Sequence, residues 1–387
     1  MQSQISKKFF YNIFIIYLAL YIAFGDINAL RELRITHYFS IGILPLFITV
    51  ILVRSEKIKI SHLLIIIIIT TMMIISIFLR PIALEDIYRY NTFIIIFLLP
   101  FIKVIIDQHV DFFTKKIIIS LGTILTITII DYLAFLATAN SFFPVMFYIT
   151  PRAQGPFFDP NFLGLVAAIF LLITIESKQH ILLRIIGIFS LIISGSFSAI
   201  VFTFFSIILS KKNLRNLKIL PFIALISFFL FSFIYEKENY IMSLIKNLSF
   251  LNSYPDLIEI KMISLFNRFE SINESFHLIF ENPFGYGNKS LLKYLTRDPH
   301  NSFVSVTFEY GVFAFIILCI PYFIIKRNDV NISIVYFSFL MALLLNIHYS
   351  SIFLASFFLY SRPYKKPNPT QSRSRSPVAR SMPPESE

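Results

Sequence analysis

Residues 152–175 read RAQGPFFDPNFLGLVAAIFLLITI, and the change of character at Asn161 decides the architecture. Before it the chain is polar and turn-rich, with Arg152, Gln154, Gly155, Pro156 and Pro160. After it, Asn161–Ile175 carries no charged residue and no polar face. A helix that is apolar all round is either the core of a large protein or a membrane span. The texture recurs along the chain. A span needs about 17–25 mostly apolar residues, and the candidate runs are Phe9–Phe24, Thr36–Val53, His62–Leu79, Tyr90–Ile106, Lys116–Leu136, Asn161–Ile175, Leu182–Ile193, Ser198–Ser210, Ile219–Tyr235, Asn301–Ile325, Asn331–Leu345 and Ser351–Tyr360. Composition agrees. The 387 residues are 56% hydrophobic and 14% charged, whereas a soluble domain carries about 25% charged residues. The expected fold class is an all-α polytopic membrane protein of about 12 transmembrane helices. Ser194-Gly195-Ser196 is expected to turn a tight helical hairpin between two of them.

Charge orients this bundle. The net charge of +12 could point to nucleic acid, but its distribution follows the positive-inside rule instead. With the N-terminus inside, every short inner segment is net positive: Lys7 and Lys8; Arg54, Lys57 and Lys59; Lys103, Lys115 and Lys116; Lys178 and Arg184; Lys211, Lys212, Arg215 and Lys218; Lys326 and Arg327. The outer segments around 25–35 and 80–89 balance their charges. Both termini are thus expected in the cytoplasm. Four regions follow: residues 1–235 as an N-terminal bundle of about nine spans, 236–300 as one large outer loop, 301–361 as C-terminal helices, and 362–387 as a basic, disordered Pro/Ser/Arg tail. Phe9–Phe24 lacks a convincing cleavage site and is expected to be a span rather than a signal peptide. The single cysteine, Cys319, allows no disulfide within the chain and no thiolate metal site.

The chemistry gathers in the outer segments. In the long loop, Leu265, Phe269, Ile272, Phe276 and Ile279 form the apolar stripe of an amphipathic helix. Arg268, Ser271 and Ser275 fall on a neighbouring polar face, and Asn282-Pro283 with Phe284-Gly285-Tyr286-Gly287 ends it. Asp159-Pro160-Asn161 and Asp298-Pro299-His300-Asn301 each read as a helix start with Asp as N-cap. Helix starts on the outer side present free N–H groups and the positive end of the dipole. Arg152 and Arg268 add guanidinium forks suited to a phosphate. His300 brings a titratable group with an ordinary pKa near neutrality, as His277, His37 and His348 also could. Glu309 lies two turns from His300 and Asp131 lies near a span, where carboxylates are costly and often functional. No Asp-x-Asp or His-x-x-x-His pattern supports a metal. Each residue also has a plainer role: Arg152 as an interfacial anchor, Arg268 as a solvated surface charge, His300 as a helix cap, Cys319 as packing.

Three stretches together resemble the bacterial O-antigen ligase and O-antigen polymerase family of integral membrane glycosyltransferases. They are Arg152, Gly155, Pro160, Asn161 and Gly164; then Arg268 with Asn282–Gly287; then His300, Asn301 and Gly311. The resemblance runs to about residue 360 and implies a GT-C-like bundle with a large outer loop. It implies an undecaprenyl-pyrophosphate-linked glycan as donor at the outer face of the bacterial inner membrane. A glycan or a lipid A-core is the acceptor, and no nucleotide sugar, metal or other cofactor is needed. A chain-length regulator, a flippase and membrane lipid are the partners that go with it, and nucleic acid is not among them.

On that resemblance His300, Arg152 and Arg268 are the catalytic residues. His300 would take the acceptor proton, and the two arginines would neutralise the leaving pyrophosphate. Arg80, Arg89, Asn161, Asn301 and Glu309 would bind substrate. Ala314, Pro156 and Ile272 depart from ligase patterns, and Arg152 to Gly164 is one residue longer than a polymerase spacing. Both reactions stay open; the Ile/Phe-rich character favours polymerase. A flippase or other transporter is the rival of a different class, but transporters show repeated halves and Gly/Pro-broken spans, and the chain has only 10 glycines.

Overall fold

The computed structural model describes residues 2–27, 106, 109–147, 150–157, 159–211, 217–246, 255–287, 290–295, 297–324, 332–345 and 353. The expected spans Thr36–Val53, His62–Leu79, Tyr90–Ile106 and Ser351–Tyr360 lie outside these residues, apart from Ile106 and Phe353. Arg80, Arg89, His37, His348 and the tail also lie outside them.

Within the described residues the chain is mostly helical. The helices are α1 (Gln2–Phe24), α2 (Val110–Thr138), α3 (Pro160–Glu176), α4 (Ile181–Ser194), α5 (Phe197–Lys211), α6 (Leu220–Glu236), α7 (Glu238–Lys246), α8 (Pro255–Glu281), α9 (Leu291–Tyr294), α10 (Ser302–Tyr310), α11 (Val312–Ile324) and α12 (Ile332–Ala342). One antiparallel hairpin, β1 (Val145–Phe147) with β2 (Pro151–Ala153), stands between α2 and α3. The polar, turn-rich sequence before Asn161 gives no strand pattern here. Asp131 on α2 explains how the hairpin is held, since its carboxylate accepts from the Phe142 and Phe143 amides at 2.6 and 3.0 Å. Asp131 therefore has a structural use.

Helix α3 is the axis of the bundle. From Leu163 to Thr174 every residue is buried, against α2, α4, α5 and α12. Where lipid surrounds helices, association rests on close van der Waals fit rather than on escape from water. Small residues supply that fit: a Cβ on Gly187 of α4 would stand 3.1 Å from the Leu171 Cβ. Outward, α2 shows Ile119, Ile127, Ile130 and Leu133 exposed, and α6 shows Phe222, Ile226, Phe229 and Phe233. Large contiguous apolar surface of this kind suits a lipid surround. Among the described residues, Val110–Thr138 and Leu217–Glu236 are long and apolar enough to cross a membrane, and six further apolar helices are shorter.

The chain threads these helices between two ends. One end holds the β-hairpin, the start of α3, the α4–α5 turn and the start of α10. The other holds the end of α3 and the start of α12, where Ser333 donates to Glu176 at 3.0 Å. Helices α4 and α5 do form a tight hairpin, with Gly195 left-handed at φ +56°. The single span expected over Asn301–Ile325 is instead α10 and α11, broken at Gly311. The break is a backbone contact. Gly285 in the Asn282–Gly287 turn lies against Gly311, and a Cβ on Gly285 would stand 2.6 Å from the Gly311 nitrogen. Tyr286 and Gly287 then donate to the Phe308 and Glu309 carbonyls, and Val312 donates to Pro283, each at 2.9 Å. The turn thereby satisfies the carbonyls that the end of α10 leaves open.

Candidate functional site

Helix α8 carries the expected stripe inward. Phe266, Phe269 and Ile272 are buried, and Phe269 stacks on Phe231 of α6 at 4.8 Å. Ser232 of α6 donates to Asn273, and Tyr235 donates to Glu270 at 3.3 Å. The polar face differs from the expected one. Ser271 and Ser275 are fully buried and bond their own helix at Asn267 and Ser271. The open polar face is Ser264 with Asn267 and Arg268, which lie one helical turn further on.

That face forms one wall of a cavity of about 290 Å³. The segment before α10 forms the other, with Arg297, Asp298 and His300. Arg268 is not a freely solvated charge. Its Nη1 donates to the Leu344 carbonyl just past α12 at 3.0 Å. Burial lowers its pKa, and the carboxylates of Asp159 and Asp298 work in the opposite direction. His300 stands exposed at the mouth in the left-handed region, φ +49°. Its amide donates to Asp298 Oδ1 at 2.9 Å. Non-glycine residues held at positive φ cost of order 1–3 kcal/mol and cluster at functional sites. Desolvation lowers the imidazole pKa; Asp298 and Asp159 raise it, and Arg268 lowers it. A lowered pKa favours the neutral ring, which is the form a general base needs.

Asp298 is not the cap of α10. Asn301 takes that place: its Oδ1 accepts from the Phe303 and Val304 amides at 3.0 Å each. Its Nδ2 donates to Leu343 at 3.0 Å, so this fully buried side chain is committed to the fold. Asp159 does cap α3, accepting from the Asn161 amide at 2.6 Å with Pro160 following.

Arg152 sits at the same end of the bundle but off the cavity wall. It is 9% exposed. Its Nε donates to the Ser194 carbonyl at 2.9 Å, and Nη2 donates to Asn161 Oδ1 at 3.3 Å. Asn161 Oδ1 also accepts from Ser196 at 3.1 Å. Gly195 has no Cβ because one would meet Arg152 Nε at 2.8 Å. Arg152 thus ties β2 to the starts of α3 and α5. Asp159, two residues from Asn161, acts on both His300 and Arg268 and links this network to the cavity. Glu309 is 1% exposed on α10 and does not line the cavity. His277 is exposed on α8, away from it. Asn267, Arg297 and Asp298 do line it without having been chosen as site residues. The Arg-Asp-Pro-His run at 297–300 was the available signal for the last two. Among the described residues no group of three or more His, Cys, Asp or Glu is placed to hold a metal ion.

Apolar helices pack around α3, and Arg268, Arg297 and His300 line one cavity at the end of the bundle that also holds Arg152. Residues 182–319 match the family described as O-antigen ligase, which supports assignment of the chain to the O-antigen ligase and polymerase family. The matched stretch takes in Arg268, Arg297, His300 and the Asn282–Gly287 turn; Arg152 and Asn161 precede it. The match points to glycan transfer of the ligase or polymerase type on substrates held in a membrane. No curated protein and no solved structure matches the chain.

Proposed function

We propose that the protein polymerises lipid-linked oligosaccharide repeat units of a surface polysaccharide at the periplasmic face of a bacterial inner membrane. The carrying observation is the shared cavity of Arg268, Arg297 and His300. The donor is a glycan on undecaprenyl pyrophosphate. The acceptor hydroxyl oxygen attacks the anomeric carbon, and the bond from that carbon to the pyrophosphate oxygen breaks. The leaving pyrophosphate keeps the electron pair, and its charge is met by guanidinium N–H groups. The acceptor proton passes to a ring nitrogen of His300. Arg152, Asn161 and Asn301 keep the supporting helix starts in place, and Glu309 packs behind the cavity. In this reading both termini face the cytoplasm, the hairpin end faces the periplasm, and no metal takes part.

Transfer of finished polymer to lipid A-core is the second reading, and the O-antigen ligase description of the matched family favours it. Electrophoresis of lipopolysaccharide from a deletion strain separates the two. Polymerase loss leaves one repeat unit on the core. Ligase loss leaves bare core with lipid-linked polymer. Cytoplasmic accumulation of the lipid-linked unit would overturn both in favour of a flippase.

A further inference from the structure

We infer that the groove between α2 and the α3–α4 corner is a seat for one phospholipid whose headgroup carries both a phosphate and a primary amine. The groove has a volume of about 870 Å³ and reaches the Glu176 end of the bundle, away from the cavity of His300. In the orientation proposed above this is the inner leaflet. On α2 its wall takes every fourth residue: Asp111, Lys115, Ile119, Thr123 and Ile127. Facing them are Glu176 and Gln179 at the corner, then Leu183 and Ile186 of α4. The stripe from Asp111 to Ile127 is about 24 Å long at the helical rise. The hydrocarbon of one leaflet is about 15 Å deep. One groove thus runs from headgroup level into acyl level.

The polar end carries both signs of charge. Asp111 and Lys115 are exposed, and among the described residues neither side chain has a hydrogen-bond or ion-pair partner. Glu176 Oε1 accepts from the Ser333 hydroxyl at 3.0 Å, which leaves Oε2 for a ligand. The Lys115 ammonium and the Gln179 amide suit a phosphate. The two carboxylates suit a primary ammonium, which has three N–H donors. Lys116, Lys178 and Arg184 lie close in sequence but do not line the groove, and Lys116 is turned over the Phe112 ring at 5.3 Å. A purely anionic headgroup would gain Lys115 and meet Asp111 and Glu176, so a zwitterion fits better. A quaternary ammonium lacks N–H donors and is held by aromatic faces. No aromatic residue is among the described residues that line this groove, in a chain that is 17% aromatic. The apolar end supplies the rest of the occupant. Ile119 and Ile127 are 51% and 49% exposed, on a helix long and apolar enough to cross a membrane. An acyl chain covers that length, whereas a small soluble zwitterion leaves it bare.

The test is native mass spectrometry of the purified full chain in detergent, with dioleoyl phosphatidylethanolamine, phosphatidylcholine and phosphatidylglycerol added in turn. The native chain should hold phosphatidylethanolamine at least about fivefold more tightly than either of the others. Asp111→Asn combined with Glu176→Gln keeps an oxygen for Ser333 and should bring phosphatidylethanolamine within about twofold of phosphatidylcholine. Lys115→Ala should weaken these two lipids alike, since both carry the phosphate. Thr123→Trp, at an exposed groove position, should lower retention of all three. Equal retention of phosphatidylethanolamine and phosphatidylcholine by the native chain overturns the inference. So does a preference for phosphatidylglycerol, or an unchanged preference in the carboxylate variant. If the native chain holds no lipid and Thr123→Cys is closed to a thiol reagent, another segment of the chain covers the groove and the inference fails. Cys319 is buried and gives no background. None of these readouts involves glycan transfer, so failure here leaves the transferase reading standing.

Discussion

His300 is the residue on which strain, charge and chemistry meet. Its left-handed backbone is held by the Asp298 carboxylate, which also raises the pKa that desolvation at the cavity mouth and Arg268 lower. The sign of the pH dependence follows. The neutral ring is the base, so activity falls as pH drops through the His300 pKa, below the ordinary value of 6.5. Asp298→Asn keeps an oxygen to accept the amide but loses the charge. Its acid limb should therefore lie at lower pH than native in a pH–rate profile; a limb moved upward would contradict this. Arg152 makes a different prediction. Arg152→Ala leaves the buried Ser194 carbonyl without the Arg152 donor, at about 1–3 kcal/mol, and leaves Asn161 Oδ1 with Ser196 alone. Thermal unfolding in detergent should show a clear loss of stability, where Arg297→Ala shows none. Sequence could not separate these arginines. Arg152 finds its partner at Ser194, 42 residues away, and nothing near Arg152 reports it. Asn301 was hidden for a local reason: Asp298 and Asn301 are both good caps, and the left-handed turn at His300 decides between them.

At the scale of elements, α8 was legible because its apolar positions repeat every three or four residues and all fall on one side. Its working face was less so, because serines that bond their own backbone look polar in sequence and sit buried in the fold. The α10–α11 break was invisible since both sides of Gly311 are apolar, and only the turn at Pro283–Gly287 gives the glycine its purpose. That turn sets how α8 leads into the segment carrying Arg297 and His300. Gly285 has φ +91° and no room for a Cβ. Gly285→Ala should cost on the order of 2 kcal/mol or more and lower glycan output with it. A melting temperature equal to native would show that the α10 end does not depend on this contact.

For the whole molecule, hydropathy found α2 and α6 among the described residues because each is long and apolar on nearly every side. Arg152, Asp159 and His300 share one end; Glu176 and Ser333 share the other. Cys319 is buried, so new cysteines can report the sides. Phe142→Cys should react with an impermeant thiol reagent on intact cells, and Lys178→Cys only after permeabilisation. The most direct measurement is turnover by His300→Ala in membranes adjusted to equal protein, read as lipid pyrophosphate released from a lipid-linked repeat unit. General-base catalysis contributes about 10²–10⁴-fold, so release should fall at least about a hundredfold. Release within about twofold of native would contradict His300 as the base of this cavity.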